Sequence, residues 1–221
     1  MCASCHPVIS QTALTLDLIG LGPKDTAAAA YSIRKLSSSY TGPAISVISS
    51  FDYPDNIKDL GFDASGKLDT TGLKDFCTTC IVTKWYDQSG HQRDAQMLQS
   101  HKFPPILRYD SSELGNQKNI MAIDFWIQQG YFQIRSALTT EPFQSFENGF
   151  SLFIVAQRRS TLNSGSAMVT KTNANEPSPW DMYDNQLMTL SQTNGQYYQN
   201  LITQDFLNTL PDDNLKVYSF S

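Results

Sequence analysis

Two groups of residues in this sequence combine types and spacings that could do chemistry on a hydroxyl-rich ligand. Tyr86-Asp87-Gln88-Ser89-Gly90 sets a carboxylate beside an amide, and both groups bond vicinal hydroxyls well. The same residues also read as a turn. Asp at the start closes an Asx-type turn, Gly ends it, and Gln88 can satisfy nearby backbone. Turn chemistry accounts for these offsets unaided, so a structural turn is the stronger expectation. Trp180-Asp181-Met182-Tyr183-Asp184 supplies aromatic faces and carboxylates close together. Sugar C–H faces stack on such rings while carboxylates take the hydroxyls, making Trp180, Asp181, Tyr183 and Asp184 the sugar-binding candidates. Pro177 and Pro179 would stiffen the segment for binding, or simply frame a surface loop with its aromatics tucked into a sheet.

The cysteines fall in two C-x-x-C pairs, Cys2/Cys5 and Cys77/Cys80. A four-thiolate zinc ribbon usually separates its pairs by roughly 15–20 residues, far fewer than here. Thioredoxin-like chemistry wants a βαβ context that the surroundings lack. Disulfides in an oxidising compartment are therefore expected, with the pairing left open by the sequence. Asp52, Asp55, Asp59 and Asp63 could hold calcium, but their spacing fits no EF-hand loop, so no metal or other cofactor is assigned. His6, His91 and His101 sit in polar stretches without metal-ligand spacing. Nucleotide and serine-hydrolase fingerprints are missing.

These groups need a scaffold, and composition narrows which one. Only 17% of residues are charged while 11% are aromatic, which suits an extracellular β protein with neutral polar loops. The net charge of −5, with no Lys/Arg cluster, argues against nucleic acid as a partner. No apolar run approaches the roughly 20 residues of a membrane span. Met1-Cys2-Ala3-Ser4-Cys5 lacks the basic patch and apolar core of a signal peptide, so secretion to an extracellular or cell-surface location would need a leader outside this chain. With no linker-like tract, the 221 residues read as one domain, 1–221.

Two segments predict helix. Lys24 to Leu36, with Asp25 or Thr26 as cap, four alanines and Arg34-Lys35 at the end, is the clearer. A shorter one begins at Asp69 or Thr70 and runs through Leu73 and Phe76. The rest reads as short strands between turns: 13–19, 44–48, 81–86, 120–126, 150–156, 166–170, 186–190 and 216–220. Leu14, Leu16 and Leu18 should share one face, as should Ile81, Thr83 and Trp85. Trp85 and Trp126 belong to the core or a second layer by this pattern. The 152–156 run is apolar on both faces and predicts a central strand. The pattern at 216–220 stops at Ser221 without a cap, as if further strands should follow. The fold class expected is all-β, a β-sandwich or jelly roll of two antiparallel sheets with one or two short helices.

Residues Ala28 to Ile45 and Cys77-Thr78-Thr79-Cys80-Ile81-Val82-Thr83-Lys84-Trp85-Tyr86-Asp87-Gln88-Ser89-Gly90 resemble the catalytic domain of the α-L-arabinofuranosidase B family. Gly61-Phe62-Asp63 and Gly66-Lys67-Leu68-Asp69 match it in order and spacing, and the likeness covers about residues 13–110. It implies a concanavalin A-like topology and a Cys77–Cys80 disulfide before the strand. The family's retaining mechanism uses two carboxyls about 5–5.5 Å apart, together with a vicinal Cys-Cys disulfide in the sugar platform. This chain has no Cys-Cys pair after residue 80. It has no clear match near Pro179–Asn185, where the nucleophile's neighbourhood should fall, and the acid/base would lie beyond Ser221. No catalytic residue is therefore assigned. The expected function is a carbohydrate-binding or adhesive surface module with a glycan or polysaccharide as partner. The alternatives are an active arabinofuranosidase and a structural module packing against other surface-protein domains.

Overall fold

In a computed structural model, the described residues are 14–18, 27–52, 54–97, 104–108, 121–125 and 131–134, plus the backbone of the strands within 152–220. The chain divides into two compact units, Met1–Ser145 and Phe146–Ser221.

The first unit contains, in chain order, a helical turn α1 (Thr15–Leu18), strands β1 (Ile45–Ile48) and β2 (Ile57–Leu60), and a helical turn α2 (Leu73–Phe76). The strands β3 (Cys80–Trp85), β4 (Ala95–Met97), β5 (Ile106–Arg108), β6 (Ala122–Asp124) and β7 (Phe132–Ile134) follow. All seven strands join one antiparallel sheet in the order β2-β1-β3-β4-β7, with β5 pairing β3 and β6. Strand β3 organises it. One edge pairs with β1, while the other pairs with β5 at Cys80 and Ile81 and with β4 at Lys84 and Trp85. Every residue of β1 is buried, which fits its place between two partners.

Ala44, Ile45, Val47, Leu60, Leu68, Leu73, Cys77, Cys80, Val82 and Leu107 form the main core. Ile48, Ile81 and Met97 form a smaller cluster, and Phe132 packs against both. Fully burying a side chain such as Ile45 or Leu73 contributes about 1.5–3 kcal/mol. Helix α2 delivers Leu73 into this core; it keeps only the last turn of the second helix read from the sequence, starting after Gly72 and not at Asp69 or Thr70.

Three expectations need correction. Among the described residues of 24–36, positions 27–36 are not helical but extended and irregular. Arg34 bridges Lys67, and the N–H of Lys35 donates to the Gly66 carbonyl at 2.8 Å. The predicted strand at 13–19 is instead the turn α1. There the N–H of Leu18 donates to Leu14, and Asp17 accepts from the backbone N–H of Ser38 at 2.9 Å and from the Ser37 hydroxyl at 3.1 Å. Leu16 is buried but Leu18 is 68% exposed, because helical spacing separates residues that strand spacing would align. Finally, Ile81 and Trp85 do not share a face. Val47 pairs with Val82 but Ser46 with Lys84, so Thr83 is an extra residue and the register shifts. Trp85 then lies opposite Ile45 and packs on the main core.

In the second unit, strands β9 (Val169–Asn173), β10 (Glu176–Met182), β11 (Gln186–Thr193) and β12 (Gln196–Thr203) form an antiparallel sheet in the order β12-β11-β10-β9. Strand β8 (Leu152–Ala156) pairs with β13 (Lys216–Phe220). Among the described residues β13 is its one partner. The fold is thus β-rich, its described helices being single turns.

Candidate functional site

The Tyr86–Gly90 turn is the best-defined polar feature, and the chain itself consumes it. Asp87, Gln88 and Ser89 are buried at 3, 2 and 5% exposure. Asp87 accepts four hydrogen bonds: from the N–H of Ala30 at 2.9 Å, the N–H of Ser89 at 2.9 Å, the Ser89 hydroxyl at 2.7 Å and the N–H of Arg93 at 3.1 Å. Gln88 accepts from the N–H of Leu36 at 2.8 Å and donates to the carbonyls of Ser32 at 2.8 Å and Arg34 at 3.0 Å. Its own backbone N–H donates to the Ala30 carbonyl at 2.7 Å. Gly90, at φ 90°, makes the turn possible where a side chain would be strained. The structural reading of this motif stands. It is also why 27–36 is extended, since buried side-chain bonds replace the backbone bonds a helix would have made.

Next to the turn, Tyr86 opens onto a different constellation. Its hydroxyl donates to Asp59 at 3.1 Å and lies 3.0 Å from the Ser46 hydroxyl, which in turn bonds Asp59. Register explains the grouping, because Ser46 stands opposite Asp59 on β2 and Lys84 on β3. The Lys84 ammonium sits 4.9 Å from the centre of the Tyr86 ring and 3.8 Å from Asp94. Ser46 is buried, Tyr86 half-buried and Asp59 exposed, so the network starts inside and reaches solvent. Burial raises the Tyr86 phenol above its ordinary range, with Asp59 adding to it, so the hydroxyl remains a donor. This set donates and accepts within one small area, as hydroxyl recognition requires. Composition did not reveal it, and only the alternation of β1 against β2 could have.

The same unit carries a shallow groove of about 340 Å³, lined by Lys35, Tyr40, Thr41, Gly42, Pro43, Gly61, Phe62 and Asp63. The rings of Tyr40 and Phe62 meet edge-on at 6.3 Å. The Tyr40 hydroxyl donates to the Pro43 carbonyl at 2.7 Å. Burial, then the charges of Asp94 and Asp87, push its phenol up to about 12. Asp63 closes the other wall. Its Oδ1 accepts from the N–H and hydroxyl of Ser65, both at 2.8 Å, and from the N–H of Lys67 at 3.0 Å. These bonds hold its carboxyl below the ordinary range, the Ser65 hydroxyl contributing most.

Of the sugar-binding candidates, Trp180 and Asp181 lie on β10, opposite Thr189 and Met188 of β11. The proline-framed segment through Met182 is therefore a strand and not a loop. Tyr183 and Asp184 lie outside the described residues, as do Trp126, His6, His101, Cys2 and Cys5. Cys77 and Cys80 are bonded to each other, their Cα atoms 5.2 Å apart, at the junction of α2 and β3. Among the described residues no three His, Cys, Asp or Glu side chains come together as a metal site. Asp59 and Asp63 turn to separate partners. No helix among those residues is long and apolar enough to cross a membrane.

Comparison of the chain with protein-family models, with characterised proteins and with solved structures finds no match.

Proposed function

We propose that this chain is a secreted or cell-surface module that binds glycan, built on a concanavalin-like sandwich resembling the arabinofuranosidase B catalytic domain. The observation that carries this reading is the Ser46–Asp59–Tyr86 network: a carboxylate, a phenol and a hydroxyl already bonded to one another and ending at solvent. Groups fixed before the ligand arrives lose little freedom on binding, which favours affinity for a weakly held polyol. The antiparallel pairing throughout both units and the Cys77–Cys80 bond support the resemblance.

The test is a glycan array probed with the full chain and with Asp59→Asn. Binding of at least one class of neutral glycan is expected, weakened about tenfold in the variant as its charge-assisted acceptor is lost. A chain that binds no glycan on the array would overturn the reading.

A further inference from the structure

We propose that the groove between the 40–43 loop and the 61–63 segment is the subsite for one neutral sugar ring. This rests on the glycan-binding reading and names where the ligand sits. A volume of about 340 Å³ lies at the small end of ligand sites, room for a single ring with its hydroxyls. The lining has the parts a sugar uses. Tyr40 and Phe62 bring aromatic surface for C–H faces, Thr41 brings a hydroxyl, and Lys35 and Asp63 bring a donor and an acceptor. The charges decide the class of ligand. An anion drawn to Lys35 would also meet Asp63, and a cation drawn to Asp63 would meet Lys35. A neutral polyol can use both.

The walls are fixed in advance. Tyr40 is tied to Pro43, and a Cβ at Gly42 would lie 2.6 Å from the Tyr40 hydroxyl oxygen, so glycine there lets the ring fold back over the loop. Asp63 is held by Ser65 and Lys67. Gly61 is different, because a Cβ added there meets nothing within 4 Å. Its side is open space bordering the groove, two residues beyond Asp59.

The openness at Gly61 supplies the experiment. The ¹⁵N-labelled full chain is titrated with the methyl glycosides of arabinofuranose, galactose, glucose and mannose, and amide shifts are followed. At least one glycoside should shift the amides of Thr41, Gly42, Gly61, Phe62 and Asp63. Gly61→Leu puts a side chain into the open space and should weaken that binding roughly tenfold or more, while the fold persists. Lys35→Gln, a surface change, should weaken it several-fold and decides the matter should Gly61→Leu fold poorly. Trp180→Ala should bind as the unaltered chain does. Shifts confined to residues outside the groove, or groove variants with unaltered affinity while Trp180→Ala loses it, overturn the subsite alone. A chain that binds glycans neither here nor on the array overturns the function reading as well.

Discussion

The carboxylate of Asp87 accepts the backbone N–H of Ala30 at 2.9 Å, across 57 residues of sequence. Together with Gln88 it stitches the 28–36 segment to the end of β3. Both side chains are buried, so what they bond has no water to fall back on.

Removing either stitch should therefore be costly. Gln88→Ala strands the N–H of Leu36 and the carbonyls of Ser32 and Arg34, and should destabilise the first unit by about 2–4 kcal/mol. Asp87→Asn, which keeps the shape but puts an amide where a carboxylate accepted four bonds, should cost about 1–3 kcal/mol. Denaturant unfolding measures both. Unchanged midpoints would mean that 28–36 is held by other contacts.

The cysteine pair makes a second expectation. Intact mass should rise by two hydrogens per bond on reduction, with peptide mapping placing one bond at Cys77–Cys80. Its loop is short, so the chain-entropy contribution is about 2 kcal/mol, and Cys77→Ser with Cys80→Ser should lower stability by that order. Tightly bound zinc in the purified protein would contradict the pairing.

Alkaline pH should weaken the fold. The Tyr40 phenol has its pKa raised from 10.0 to about 12, chiefly by burial. A raised folded value means that the folded chain holds a proton the unfolded chain gives up. The stabilisation is thus complete below pH 10 and is lost as pH climbs toward 12. Tyr31 and Tyr86 are raised in the same direction, again mainly by burial, and add to the slope. Melting temperature should be flat from pH 8 to 10 and fall above it. Tyr40→Phe should flatten part of that fall, and an identical slope in the variant would show that Tyr40 titrates normally.

Aryl arabinofuranosides should not be turned over. The residues that carry the family resemblance here are a disulfide and a buried turn, and neither offers a free acid or a nucleophile. General acid help alone typically contributes about 10²–10⁴-fold, and its donor has no counterpart among the matched positions. Steady release of aryl alcohol by the pure chain, abolished by Asp181→Asn or Asp184→Asn, would make it a glycosidase.

The sequence by itself determined the elements whose signals are local. Strands at 45–48 and 80–85, the helical turn at Leu73–Phe76 and the turn at Asp87–Gly90 all follow from alternation and turn chemistry. Tertiary structure decided three other things. Helix propensity at Ala27–Ala30 is worth under about 1 kcal/mol per residue. It lost to buried hydrogen bonds from side chains far along the chain, which no window over 24–36 contains. The insertion of Thr83 into β3 turned Trp85 to the opposite face from Ile81, because the bulge is a property of two paired strands and one strand's pattern cannot show it. The candidate site was illegible for the same reason. Ser46, Asp59 and Tyr86 belong to three separate segments, and only antiparallel register makes them neighbours.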